Sequence, residues 1–136
     1  MARDIGKLTL LGGGKSGYLA DPGKAKIETF QNEYECRDYW IDLDCQEFTC
    51  LCPKTGQPDF GVIRVRYVPA GRCIETKSLK LYLFSYREAR VFNEEAVNRI
   101  LDDLVKACLP RQMEIVGEFN PRGGIGITVK AVYSGQ

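Results

Sequence analysis

The chain has 136 residues, with 19 basic and 18 acidic side chains, a formal net charge of +1 and no histidine. That length suits a single domain, and the balanced charge removes the strong electrostatic attraction that draws basic proteins to nucleic acid or anionic membrane surfaces. Without histidine, Ser-His-Asp and Cys-His catalysis and every histidine-ligated metal site are excluded within the chain, and acid–base work falls to carboxylates, Cys, Lys, Tyr or water.

Residues 1–35 carry Gly12-Gly13-Gly14 and Asp21-Pro22-Gly23 with few periodic apolar positions, and read as an extended N-terminal arm preceding one domain over 36–136. From Asp38 to Leu51 bulky and polar residues alternate, most clearly in Tyr39-Trp40-Ile41-Asp42-Leu43-Asp44-Cys45, which predicts a strand. Cys52-Pro53-Lys54-Thr55-Gly56-Gln57-Pro58-Asp59 is punctuated as a loop. A second strand is expected over Phe60 to Val68, closed by Pro69-Ala70-Gly71. The period then becomes helical. Leu79, Tyr82, Leu83 and Tyr86 share one face. Ala96, Val97, Ile100, Leu101, Leu104, Val105 and Cys108 form a stronger one, ended by Pro110. Strands are expected over Met113–Phe119 and Gly126–Tyr133, joined by the turn Asn120-Pro121-Arg122-Gly123-Gly124.

The order ββααββ predicts an α+β domain: an antiparallel four-stranded sheet with two helices on one face. The other face is expected to need a partner, and a ring of such sheets would also remove the exposed edges. No apolar run approaches the ~20 residues that cross a bilayer, and Met1-Ala2-Arg3-Asp4-Ile5-Gly6-Lys7 lacks an export signal. The expectation is a cytoplasmic homo-oligomer with no membrane or direct nucleic-acid partner. Its cysteines (Cys36, Cys45, Cys50, Cys52, Cys73, Cys108) are then mostly reduced thiols.

Cys52 opens a loop and precedes a proline, which sets it apart from core thiols. Asp59, seven residues on, can return beside it through the turn at Gly56-Gln57-Pro58. A thiolate is a strong nucleophile, and a neighbouring carboxylic acid can protonate what it attacks. The alternative is a structural cysteine in a turn with Asp59 capping the loop. Glu75-Thr76-Lys77-Ser78-Leu79-Lys80 places two lysines three apart at a helix start, suited to an anion or simply to a solvated face. Phe92-Asn93-Glu94 precedes the second helix. Glu94 is either a first-turn acid favoured by the helix dipole or a receiver of two N–H groups from a guanine-like edge, with Phe92 stacked on the ring. Arg122 is a phosphate contact or a turn residue. No cysteine spacing suggests a metal site.

Taken together, three stretches resemble the unimodular 7-cyano-7-deazaguanine reductases, the nitrile reductases of queuosine biosynthesis. They are Phe48-Thr49-Cys50-Leu51-Cys52-Pro53-Lys54-Thr55-Gly56-Gln57-Pro58-Asp59-Phe60, then Glu75-Thr76-Lys77-Ser78-Leu79-Lys80-Leu81-Tyr82-Leu83-Phe84-Ser85-Tyr86-Arg87, then Pro121-Arg122-Gly123-Gly124-Ile125. The similarity runs from about Leu8 through Tyr133. The resemblance implies the tunnelling fold, a decamer of two stacked pentamers, and NADPH as cofactor. It implies a deazapurine nitrile as substrate, attacked by Cys52 to give a covalent thioimide with Asp59 as proton donor. It places Ile74, Glu75, Thr76, Phe92, Asn93 and Glu94 on the substrate, and Lys77, Lys80 and Arg122 on the NADPH phosphates.

The family usually reads Phe-His-Glu where this chain has Phe92-Asn93-Glu94, and Asn93 can hydrogen-bond but cannot titrate. Ala96 stands where the family often has a cysteine, and Thr76 replaces the usual Ser or Leu. Two rival functions share these residues. One is an archaeosine-forming amidinotransferase, in which ammonia attacks the thioimide; its members lack the complete lysine motif. The other is a non-catalytic purine-binding ring.

Overall fold

The computed structural model describes residues 19–135, so the glycine run at 12–14 and the start of the expected arm lie outside the described residues. Four long strands, β2 (Ile41–Leu51), β3 (Pro58–Val68), β5 (Gln112–Arg122) and β6 (Ile125–Ser134), form an antiparallel sheet in the order β2-β3-β5-β6. Two short ones, β1 (Thr29–Gln31) and β4 (Arg72–Ile74), pair antiparallel as a separate ribbon. Helices α1 (Thr76–Phe84) and α2 (Asn93–Cys108) fall between β4 and β5. The long elements therefore follow the expected order ββααββ. The short ribbon has no sequence signal, because three-residue strands carry too few positions to show a period.

Both helices cover one face of the sheet. Along β3, Ile63, Val65 and Tyr67 are buried while Arg64 and Arg66 are exposed. The buried set joins Met113, Ile115 and Phe119 of β5 and the apolar stripe of α2 in a single core. That stripe is Ala96, Val97, Ile100, Leu101, Leu104 and Cys108, as its spacing predicts; Val105 is only partly buried. α2 ends with Leu109 in the left-handed region, φ 47°, one residue before Pro110. α1 stops at Phe84, short of Tyr86, because the Ser85 hydroxyl donates back to the Tyr82 carbonyl and the chain turns; Tyr86 reaches the core from that turn.

A bulge in β2 decides what reaches the site. Cys45 pairs with Ile63 but Phe48 pairs with Gly61, so one extra residue enters β2, with Glu47 at φ 60°. The insertion reverses the alternation. Before it Ile41, Leu43 and Cys45 face the helices; after it Phe48 and Cys50 do. On the other side, β5 and β6 run further than predicted, to Arg122 and from Ile125, and only Gly123 and Gly124 turn the hairpin, at φ 58° and 81°. Positive φ at both central residues is the twist that a two-residue hairpin requires.

The open face of the sheet mixes ion pairs with apolar side chains, for Phe60 and Val132 stand exposed and Val62 and Val116 half-buried among the charges. Arg64 bridges Asp44 at 3.7 Å and Glu118 at 2.6 Å, Arg66 meets Asp42 at 3.5 Å, and Lys130 meets Glu114 at 3.4 Å. Among the described residues β2 and β6 are the edge strands of this sheet, and only the Leu51 end of β2 is paired, to Ala89 and Val91. Among the described residues no helix is long and apolar enough to cross a membrane.

Candidate active site

The segment between β2 and β3 is a closed loop. The Cys52 N–H donates to the Gln57 carbonyl at 2.8 Å, and the Gly56 N–H donates to the Cys52 carbonyl at 2.9 Å. Gly56 sits at φ 71°, a backbone conformation that favours glycine, and a Cβ there would meet only the movable Arg90 guanidinium. The loop hands the chain to β3, where Asp59 pairs across the sheet with Cys50. The end of β2 is also tied to the chain between the helices: Leu51 N–H donates to the Ala89 carbonyl at 2.9 Å, and Val91 N–H to the Leu51 carbonyl at 3.0 Å. Those two bonds carry Phe92, Asn93 and Glu94 to the rim of the same loop.

The result is a cleft of about 470 Å³ that brings together Cys52, Asp59, Phe92, Asn93, Glu94 and Arg122 from the sequence reading. The Thr55 hydroxyl and the backbone N–H groups of Thr55 and Lys54 are aimed at the Cys52 sulfur and hold its thiol below the ordinary range, against opposing desolvation and the Asp59 charge. Thr55 is itself fixed, since its Oγ1 accepts the Gln57 N–H at 3.2 Å. Asp59 is 8% exposed and receives an Arg122 Nη1 hydrogen bond at 2.7 Å. The other arm of that guanidinium donates to Gln57 Oε1, so Arg122 clamps the far side of the loop to the β5–β6 hairpin. Phe92 and Ile125 stand exposed at the rim, by 57% and 70%. The Asn93 side chain, largely buried, accepts at Oδ1 from the Cys50 thiol.

The remaining expected residues are elsewhere. Ile74 lies in the core, and its N–H donates to the buried Tyr67 hydroxyl at 2.9 Å. Glu75 caps α1, accepting the N–H groups of Lys77 and Ser78 at 2.9 and 2.7 Å, which also lower its carboxyl below the usual range. The free amides expected to help bind an anion at this helix start are therefore already occupied. Thr76 and Lys80 line a second cleft of about 440 Å³ between α1 and β2, and it shares no lining residue with the first. Lys77 is exposed on α1, and neither lysine has a carboxylate within ion-pair distance among the described residues. The sequence reading missed Thr55 and Gln57. A threonine two residues before the turn's return was the available sign of a hydroxyl–backbone turn; nothing local marked Gln57 as the Arg122 partner.

A thiol held below its ordinary range near a buried carboxylate, in an open cleft on a small α+β sheet, is an arrangement suited to nucleophilic cysteine chemistry. Residues 58–136 match the family described as QueF-like protein. The NADPH-dependent 7-cyano-7-deazaguanine reductases of Bacillus mycoides (strain KBAB4) and Bacillus cereus (strain AH187) are each 48% identical to the chain over 124 residues, covering 91% of it and 75% of the relative. The chain belongs to the QueF-like family. Among solved structures, the apo archaeosine synthase QueF-Like matches with a TM-score of 0.62 at 21% identity, over 73% of this chain and 94% of that one, which bears on the fold.

Proposed function

We propose that the chain reduces the nitrile of 7-cyano-7-deazaguanine to an aminomethyl group with NADPH, by way of a covalent adduct on Cys52. The observation that carries this reading is the Cys52 thiol, held toward its anionic form by its own loop beside Asp59, in a chain nearly half identical to reductases of that name. The Cys52 thiolate adds to the nitrile carbon. One π bond of the C≡N breaks, and the nitrogen takes the proton that Asp59 has received from the Cys52 thiol, giving a thioimide. Reduced nicotinamide, when bound, would supply two hydrides, each matched by one proton from solvent, which together take the thioimide carbon to the amine and free the Cys52 thiol. Holding the reacting carbon on sulfur makes the reduction effectively intramolecular.

Phe92 offers an exposed ring for stacking, and Glu94, exposed in the first turn of α2, offers a carboxylate for a guanine-like N–H edge. The donor set of Lys77 and Lys80 fits an anionic cofactor: the two ammonium groups stand one turn apart on an exposed helix face with no carboxylate within ion-pair distance among the described residues, Lys80 resting 5.7 Å from the Phe84 ring centre. Arg122 is engaged with Asp59, so its cofactor role requires the guanidinium to exchange that carboxylate for a phosphate. Thr76, with Glu75 beside it on the exposed start of α1, meets a substrate at Cys52 from a second copy of the chain, since it shares no cleft with Cys52, whereas the Ile74 side chain is held in the core. The proposed assembly is a ring oligomer, two stacked pentamers, that joins the two clefts.

Intact-protein mass spectrometry after incubation with 7-cyano-7-deazaguanine tests the chemistry. The expected result is a mass increase equal to the nitrile, absent in Cys52→Ala, and consumption of two NADPH per amine formed. An adduct that survives Cys52→Ala removes the assigned nucleophile; an adduct without NADPH oxidation moves the reading to ammonia transfer or to binding alone.

A further inference from the structure

Asn93 stands where the cleft meets the core. It is 9% exposed, and its Oδ1 accepts from the thiol of Cys50, which is fully buried, at 3.9 Å, the long reach of a sulfur donor. Its Nδ2 makes no hydrogen bond among the described residues, yet no buried side-chain nitrogen or oxygen there lacks a partner. Nδ2 is therefore among the atoms through which Asn93 is exposed, and the opening that Asn93 lines is the Cys52 cleft. A side-chain amide has one acceptor end and one donor end. Here the acceptor end is turned into the core and the donor end into the cleft.

We propose that Cys50 is a positioning residue that fixes this orientation, so that Asn93 presents only N–H donors and selects for a hydrogen-bond acceptor atom on the bound molecule. For the ligand the inference rests on the nitrile-reductase reading, whose substrate offers a ring carbonyl oxygen and a nitrile nitrogen as acceptors. A thiol acts as donor only while protonated, and burial pushes Cys50 up to about 12, so it keeps its proton throughout the working range. Its place is set by the β2 bulge, which turns Phe48 and Cys50 inward, and by its cross-strand partner Asp59. An amide with no such contact could present either end. A ligand with a donor facing Nδ2 would leave two N–H groups opposed and unpaired, which binding sites reject strongly.

Calorimetric binding of 7-cyano-7-deazaguanine in a Cys52→Ala background, where covalent capture is removed, tests the selection. Asn93→Asp, of equal size but without donors, is expected to weaken binding about tenfold, the scale of one hydrogen bond. Cys50→Ala should weaken it severalfold and Cys50→Ser, which keeps a donor, should restore it, a rescue that a packing role alone would not give. Independently of any ligand, the infrared S–H stretch lost in Cys50→Ala is expected to move to higher frequency in Asn93→Leu, because its acceptor is gone. Unchanged affinity in Cys50→Ala or Asn93→Asp, or a stretch that Asn93→Leu leaves in place, overturns the proposal. If the parent chain neither binds the nitrile nor forms an adduct with it, the functional reading falls instead, and the infrared shift alone then decides the Cys50 contact.

Discussion

Cys52 owes its character to its own loop. The Thr55 hydroxyl and the backbone N–H groups of Thr55 and Lys54 face the sulfur and favour its thiolate. Donors that stabilise the charged form lower a thiol's pKa, so their removal must raise it. Thr55→Val deletes the largest of these contributions while keeping shape. The expected outcome is a pH profile of alkylation by iodoacetamide displaced to higher pH, with slower modification near neutrality. Rates should converge at high pH, where both proteins are fully thiolate, and Thr55→Ser should restore the parent profile. A Thr55→Val profile that overlays the parent would show that the backbone donors suffice. Glu75 illustrates the converse at this scale: a carboxylate that reads as a ligand for something external is satisfied by the first-turn amides of its own helix.

At the scale of elements, the two helices are joined by a buried hydroxyl relay. The Tyr82 hydroxyl donates to Asp103 Oδ2 at 2.5 Å and lies 2.9 Å from the Tyr86 hydroxyl; both rings are almost fully buried and pack edge to face. Since Tyr82 gives its proton to Asp103, Tyr86 must donate to Tyr82. Tyr82→Phe then strands the buried Tyr86 hydroxyl and removes the donor from Asp103, an expected loss of about 1–3 kcal/mol by denaturant unfolding. Tyr86→Phe leaves Tyr82 bonded to Asp103 and should cost less; the reverse ranking would refute the assigned direction. The sequence reading found these tyrosines as core positions and the apolar stripe of α2, because 3.6-residue spacing is a local signal, but Tyr86 lies in the turn beyond α1, and α2 already begins at Asn93, which the reading set before the helix. The end of α1, by contrast, depends on a serine bonding backward, and the β2 bulge on one extra residue in a pairing. Neither leaves a mark in the period, yet the bulge decides that Cys50 faces Asn93.

Across the whole molecule, what was legible in the sequence and what was not divide by chain distance. Cys52 and Asp59 could be brought together on paper because one turn separates them. The bonds from Arg122 to Asp59 and from Cys50 to Asn93 close over 63 and 43 residues, and only the folded sheet makes them. The same division separates the site into two clefts, one holding Cys52 and Asp59, the other Thr76 and Lys80. Exposed Phe92, Ile125 and Ile127 rim the first cleft, apolar surface that water does not favour, while β2, apart from its Leu51 end, and β6 leave the sheet edges open. A ring in which one copy's Cys52 cleft meets the next copy's α1 answers all three features at once. The consequence is testable by mixing subunits. Cys52→Ala and Lys80→Ala proteins are each expected to lack NADPH-linked nitrile reduction, the first for want of a nucleophile and the second through weakened cofactor binding. When they are dissociated and reassembled together, some interfaces will pair an intact Cys52 with an intact Lys80 from the neighbouring copy, and activity should return well above either parent. If native mass spectrometry shows mixed oligomers and no activity returns, Cys52 and Lys80 must serve the reaction from the same chain, and the two-cleft division would have to close by a movement within one subunit.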